Sequence, residues 1–234
     1  MQVQSALKAV GQTNSSRQRT QQPSRMSASA GDLLGETLGM MGAVVPYERN
    51  MEIFGESEPA EYVYRLIKGA VRTYKVLQDG RRQVSGFHLP GDIFGLEADG
   101  QHRFAAEAIV DSTVVVVKRS VLLSLAGRDA EFGRKLWTAT ARELAHVQNL
   151  MMTLGRKTAQ ERVAGFLIEM ADRNPQCDLV ELPMSRQDIA DYLGLTIETV
   201  SRTITQIQGT EAITLHNSRR IELRNRTVLA RMSG

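Results

Sequence analysis

Glu198, Ser201, Arg202 and Thr205 are the residues of this chain whose types and spacing can do recognition chemistry. At about 100° per residue on a helix they gather on one face. A guanidinium can pair bidentately with guanine O6 and N7, a carboxylate can accept from cytosine N4, and a serine hydroxyl suits several bases. The same residues also describe an ordinary solvated helix carrying a Glu–Arg pair at i, i+4 spacing. What surrounds them decides between the two.

Two helices must hold that face in place. Ser185 can cap the first, and Asp188 adds negative charge to its opening turn. Ile189, Ala190 and Leu193 form an apolar stripe at helical spacing. Gly194 ends the helix where a left-handed residue lets the chain turn. Thr196 supplies a second cap, and a second stripe follows at Ile197, Val200, Ile204 and Ile207. Thr203 stands where such motifs usually carry an apolar residue, and Ile204 is expected to take over that packing. The pattern predicts a helix-turn-helix. Downstream, runs at 212–215 and 220–223 flank His216, Asn217, Ser218 and Arg219 and read as a small hairpin, or wing. Arg219, Arg220 and Arg224 can reach phosphates there, contacts that set register without specifying sequence.

Upstream of the motif the helical periods continue. Val163, Phe166, Leu167 and Met170 form the inward face of a helix over 157–170. Between about Ala126 and Gly155, Trp137, Thr140, Leu144, Val147, Met151 and Leu154 recur at alternating spacings of three and four. That seam suits a two-stranded coiled coil joining two subunits. Packing against its own domain accounts for part of the same residues. A two-half-site reader favours the dimer, because two weak readers gain affinity together.

From Val44 to about Lys118 the pattern changes to short alternating runs: 62–67, 70–76, 82–87 and 112–117. Gly69, the pair Asp79 and Gly80, and the turn at Pro90, Gly91 and Asp92 punctuate them. Short strands at regular spacing predict a roll or sandwich of the jelly-roll kind, and Asp79 with Gly80 is a hairpin turn. A short amphipathic helix at 31–43 leads into it.

Composition closes off other classes. No apolar run approaches a bilayer-spanning length, and the longest, Val114 to Val117, suits a buried strand. The N-terminus lacks the apolar core of a secretory signal, so the expected location is cytoplasmic, away from membranes. Residues 1–30 carry Lys8, Arg17, Arg19 and Arg25 and no acid, a net of +4, which leaves −1 for the remainder of a chain whose total is +3. That segment is too polar to offset its ordering entropy and is expected to be a disordered basic extension. A near-neutral body argues against indiscriminate nucleic-acid binding and permits a selective reader. With one cysteine, Cys177, and four scattered histidines (His88, His102, His146, His216), the chain offers neither an intramolecular disulfide, nor a cysteine-ligated cluster, nor a zinc site. The expected metal and cofactor complement is none, and no catalytic residue is assigned.

The order of β-roll, long helix and winged helix-turn-helix resembles the cyclic-AMP receptor protein and FNR superfamily of bacterial transcription regulators. The stretches 86–95 (GFHLPGDIFG), 157–164 (KTAQERVA) and 191–202 (DYLGLTIETVSR) are similar to the FNR branch, and specifically to its FixK subgroup. The resemblance covers about residues 44–225. With the composition of the first thirty residues, the expected organisation is an α+β chain of four parts: a basic extension at 1–30, a β-roll at 31–125, a dimerisation helix at 126–155 and a winged helix-turn-helix at 156–234.

Carried over residue by residue, the branch's reading triad falls on Glu198, Ser201 and Arg202, for sites like TTGAT-N4-ATCAA. Arg202 would hold the guanine, Glu198 the cytosine opposite and Ser201 a neighbouring thymine. Ser185, Arg186, Thr196, Ile197, Thr199 and Thr205, with Arg219 and Arg220 of the wing, are candidates for backbone or secondary contacts. The hairpin tip Asp79, Gly80, Arg81 and Arg82 corresponds to a surface that meets the σ subunit of RNA polymerase in FNR-like activators.

In the cyclic-AMP receptor a Gly-Glu pair and an Arg-Ser or Arg-Thr pair grip the nucleotide. Here those places read Gly95-Leu96 and Arg103-Phe104, which removes two polar partners that a buried nucleotide would need. The N-terminal cysteines of FNR's iron–sulfur cluster are also absent. What the resemblance implies is a homodimeric activator working on palindromic double-stranded DNA without a cofactor, for low-oxygen respiration or nitrogen-fixation genes. The alternative is a sensor whose roll binds a small molecule, such as a nucleotide, to switch DNA binding on. Cys177, in a polar loop before the motif, is either a passive thiol or an oxidisable one whose sulfinate would repel phosphate.

Overall fold

The computed structural model describes residues 33–173 and 178–234. The basic extension and Cys177 lie outside the described residues. Contacts divide the chain into two units. One runs up to Thr73 and takes in Phe87–Ala141; the other holds Tyr74–Gly86 and Arg142–Gly234.

The described residues begin with helix α1 (Leu33–Met41), followed by strands β1 (Ala43–Tyr47), β2 (Glu52–Phe54), β3 (Tyr62–Lys68), β4 (Val71–Val76), β5 (Arg82–His88), β6 (Ile93–Phe94), β7 (Ala105–Ala108) and β8 (Ser112–Lys118), the end of β4 and most of β5 falling in the second unit. They form two four-stranded sheets, in the orders β1-β8-β3-β6 and β2-β7-β4-β5. The valine run explains itself in β8, a strand buried on both faces. Val114 and Val116 join Val45, Tyr64, Leu66 and Phe94 inside the roll. Val115 and Val117 point the other way, onto Leu34 and Leu38 of α1, Leu122 and Phe132. β-Branched side chains pack well on such a pleat. Pairing of β1 and β3 on either side of β8 fixes the register, with Val45 and Leu66 both opposite Val114.

The roll interior is aromatic. Phe54, Tyr64 and Phe94 lie with ring centroids 5.0 to 6.2 Å apart, and His102 stacks on Phe54 at 3.7 Å. A Cβ on Gly95 would lie 2.8 Å from the Tyr64 ring, so the ring occupies the space beside the position carried over from the nucleotide-gripping pair. The other such position, Arg103, is exposed and ion-paired with Asp99. His102 itself is 2% exposed, with neither ring nitrogen in a hydrogen bond; its Nδ1 lies 3.8 Å from Glu97 Oε1.

Helix α2 (Arg119–Arg128) follows β8, and the long helix α3 runs from Ala130 to Arg156, about 40 Å. It starts at Ala130 rather than near Ala126 because Asp129 intervenes. The backbone of Asp129 closes α2 on Leu125, while its carboxylate accepts from Glu131 and Phe132 N–H groups and opens α3. An aspartate at this position serves one helix end and the next.

In the second unit come α4 (Ala159–Asp172), β9 (Leu179–Glu181), α5 (Arg186–Leu193), α6 (Ile197–Gln208), β10 (Ile213–Leu215), β11 (Arg220–Leu223) and α7 (Arg226–Met232). Val163, Phe166, Leu167 and Met170 of α4 are buried as their spacing predicts. The wing is a three-stranded sheet, β10-β11-β9, because Leu179–Glu181 pairs with β11 as well. Among the described residues, no helix is long and apolar enough to cross a membrane, and no group of His, Cys, Asp and Glu is placed to hold a metal ion.

Burial pushes the His102 pKa down from 6.5 to about 4, with Glu58 opposing the shift and Arg119 adding to it. The unfolded chain therefore takes up a proton that the folded roll refuses. The resulting stabilisation is complete above pH 6.5 and is lost as pH falls towards 4, by about 3 kcal/mol. Urea unfolding at stepped pH should find this slope in the parent and find it flattened in His102→Phe.

Candidate nucleic-acid interface

The motif forms as a pair of capped helices. Ser185 opens α5 with a capping box: its hydroxyl accepts from Asp188 N–H, and the Asp188 carboxylate accepts from Ser185 N–H. Gly194 closes α5 in the left-handed region, φ 61°, and its N–H donates to Ala190 O. Thr196 then caps α6 by accepting from Thr199 N–H at 3.2 Å. Ile189, Ala190, Tyr192 and Leu193 of α5 are buried with Val200, Ile204 and Ile207 of α6, the interface that fixes the turn.

Two details of α6 differ from the sequence pattern. Ile197, placed in the buried stripe, is 38% exposed, and Thr203, assigned no packing role, is 4% exposed. The helix thus buries Thr203 and Ile204 together. Its inward face is rotated towards Thr203, which leaves Ile197 at the rim of the N-terminal turn. A four-residue stripe does not locate its own edge, and a threonine that is buried looks polar in a pattern.

Glu198, Ser201, Arg202 and Thr205 are exposed, and Thr205 spends its hydroxyl on Ser201 O at 3.1 Å. The N–H of Glu198 itself and the Thr196 hydroxyl, with Arg202 adding its charge, hold the Glu198 carboxyl below the ordinary range. It is an acceptor at neutral pH. Ser185 is exposed and Thr199 partly so. Arg186 sits half-buried, its Nη1 enclosed without a hydrogen-bond partner, and burial lowers its pKa. In the wing, Asn217 Oδ1 accepts from the Arg219 and Arg220 N–H groups and shapes the tip. The Arg220 side chain is exposed, and that of Arg219 partly so. Arg224 is tied to Thr214 and Glu222.

The hairpin tip between β4 and β5 is part of this unit. Asp79 and Arg81 pair with each other at the exposed tip, 2.7 Å apart. Arg82, grouped with them from the sequence, turns instead onto α5. Its guanidinium lies 2.7 Å from Asp188 and 2.7 Å from Asp191, carboxylates only 4% and 12% exposed. Gln83 Nε2 reaches Tyr192 O at 3.4 Å. Burial works against the charge on Arg82, and the two carboxylates more than offset it, so its pKa is raised.

Along α3, Trp137, Leu144, Val147 and Met151 are 74%, 58%, 48% and 64% exposed in the single chain. Thr140 is exposed as well, its hydroxyl returned to Leu136 O. Leu154 is partly covered, with its Cδ2 beside Gly194. Sequence reasoning passed over Arg82 as a partner of α5 and Arg162 altogether. Asp188 and Asp191, two acids on a helix face with no cation at i, i±4, were the available sign that a cation had to come from elsewhere.

A model of the Crp-like helix-turn-helix domain matches residues 161–232, and one of the cyclic nucleotide-binding domain matches residues 44–129. The chain is 47% identical over 202 residues to the nitrogen fixation regulation protein FixK of Azorhizobium caulinodans, covering 84% of this chain and 82% of that protein. It is 42% identical over 175 residues to the transcriptional activatory protein AadR of Rhodopseudomonas palustris, covering 73% of each. Among solved structures, FixK2 from Bradyrhizobium japonicum is 52% identical with a TM-score of 0.80, covering 83% of this chain and 98% of that one.

The ion triad can be broken by design. Arg82→Met should destabilise the second unit by about 3 kcal/mol, because it strands buried carboxylates. Adding Asp188→Asn and Asp191→Asn should recover most of that loss, as read by urea midpoints.

Proposed function

The chain belongs to the cyclic-AMP receptor protein/FNR family of transcription regulators, in its FixK subgroup, and from that premise we propose that it binds palindromic operators like TTGAT-N4-ATCAA as a homodimer that needs no bound cofactor. The observation that carries this reading is the exposed face of α6. Glu198, Ser201 and Arg202 stand exposed at the N-terminal half of a helix whose opposite side is buried. Arg202 reads the guanine, Glu198 the cytosine opposite and Ser201 a thymine beside them. Thr196, Ile197, Thr199 and Ser185 are assigned backbone or secondary contacts. Arg219 and Arg220 contribute phosphate contacts from the wing. Thr205 is weaker, because its hydroxyl is already used. Arg186 is weaker still, because part of its guanidinium is enclosed.

The apolar seam on α3 supports the dimer: Trp137, Leu144, Val147 and Met151 would otherwise leave a stripe of large apolar side chains in water. Thr140 and Leu154 complete its spacing. Asp79, Gly80 and Arg81 are the exposed remainder of the surface that would meet RNA polymerase; Arg82 is committed to α5. By the names of its relatives the regulon includes nitrogen-fixation genes, and we extend it to low-oxygen respiration, chiefly by activation.

The alternative is a roll that binds a small molecule and gates DNA binding. The cyclic nucleotide-binding match speaks for it. Against it stand the Tyr64 ring beside Gly95 and the pairing of Arg103 with Asp99. Thermal shift with cyclic AMP and cyclic GMP separates the two, since a ligand bound only to the native state raises its melting temperature.

The direct test is a titration of ligand-free protein on the palindrome and on a duplex with both guanines changed, at one salt concentration. Selective binding to the first is expected; equal weak binding to both would refute the reading. In the same assay Arg202→Ala should cost about 1–3 kcal/mol and relax preference at the guanine. Leu144→Ala with Val147→Ala should shift the sedimentation profile towards monomer and weaken palindrome binding, leaving the circular dichroism of the reading helices unchanged.

A further inference from the structure

Arg162 stands in the first turn of α4, and each of its guanidinium nitrogens donates to a different backbone carbonyl. Nε reaches Lys157 O at 2.9 Å, Nη1 reaches Leu193 O at 2.8 Å and Nη2 reaches Leu154 O at 2.9 Å. Leu193 is the last residue of α5, Leu154 lies in the last turn of α3, and Lys157 belongs to the link between α3 and α4. The final carbonyls of a helix have no partner within it and carry the negative end of its dipole. One cation therefore closes two helix ends and the joint between two helices.

Its surroundings are built around that contact. A Cβ placed on Gly194, the turn residue of the motif, would lie 3.5 Å from Arg162 Nη1 and 3.5 Å from Leu154 Cδ2. The end of α3 and the turn of the motif thus meet at this guanidinium. Lys157 adds a second tie, its Nζ donating to Ser233 O at 2.6 Å.

We propose that Arg162 is a positioning residue for operator recognition: it fixes the end of α3 against the helix-turn-helix and thereby sets the separation of the two reading helices in the dimer. The proposal rests on the palindrome-and-dimer reading above. A planar fork with three donors in fixed directions holds an orientation that a point charge does not, so arginine and lysine are not interchangeable here. With all three nitrogens engaged inside the chain, Arg162 acts through the geometry of α6.

The test uses the full-length parent, Arg162→Met and Arg162→Lys on duplexes with spacers N3, N4 and N5. Each added base pair moves the half-sites by about 3.4 Å and turns them by about 35°. The parent should prefer one spacer by about 30-fold. In Arg162→Met that ratio should fall to about threefold, while loss of binding on changing the guanines persists. Arg162→Lys should fall with it, and it decides the matter by the same ratio if the methionine variant does not melt cooperatively. A variant that binds all three spacers more weakly in the parent's ratio would overturn the proposal.

A second readout is independent of DNA. Arg156 and Lys157 make the α3–α4 link a tryptic site, and cleavage there should accelerate about tenfold in Arg162→Met. Should the parent itself fail to discriminate the duplexes, the operator reading falls and the positioning role with it; accelerated cleavage would then show only that Arg162 fastens α3 to the motif, and unchanged cleavage would overturn that fastening too.

Discussion

Helix α6 has little of its own to orient it beyond one buried face, so its direction depends on how α5 is held at both ends. At the start of α5 the Asp188 carboxylate is used twice. One oxygen accepts from the N–H and hydroxyl of Ser185, and the other takes Arg82. At the far end the Leu193 carbonyl takes Arg162. Both fastenings set a guanidinium against negative or partly negative groups that burial would otherwise penalise. Because Asp188 is almost fully buried, its fastening is strongly directional. A carboxylate there without a cation is a liability, so the hairpin and the motif come as a matched set.

The β-roll solves a different problem. A sheet with helices behind it and a second sheet in front must bury both of its faces, and β8 does so with four successive valines. The interior is then filled by Phe54, Tyr64, Phe94 and His102, whose ring contacts leave a histidine neutral among aromatics. A roll packed this way holds its shape through its own side chains. A ligand seated beside Gly95 would have to displace the Tyr64 ring, at the cost of apolar contacts that dense interiors do not easily replace.

Much of this was readable from residue order because the signals were local. Ser185, Gly194 and Thr196 announced the ends of α5 and α6, and each cap forms as its chemistry requires. The strands at 62–67, 82–87 and 112–117 followed from alternation and turn residues. The missed features are those in which partners lie far apart in sequence. Arg82 and Asp188 are separated by 106 residues, and nothing in either neighbourhood names the other. Arg162 bonds carbonyls, which every residue has, so no side-chain pattern could disclose it. The start of α3 was misplaced because periodicity runs on through Asp129, where a cap, not a change of pattern, divides the helices. Thr203 and Ile197 exchanged roles for a related reason: periodicity gives the direction of a face but not its width.

The composition of the proposed reading face carries its own logic. Glu198 is ionised and exposed at the helix N-terminus. Brought to a polyanion, it is repelled wherever it lacks a donor, and a cytosine amino group supplies one only at the correct base pair. In the proposed reading its contribution is therefore larger as a penalty on wrong sites than as a gain at right ones. Arg202 does the reverse, attracted to any phosphate and best satisfied by guanine. Together they cancel in net charge, in keeping with a chain that totals −1 outside its first thirty residues. A face so nearly neutral gains little from charge alone, and the proposed dimer would make up the difference by fitting two half-sites at once. On that reading the fastening of α5 at both ends, by Arg82 and Arg162, matters as much as the side chains α6 presents.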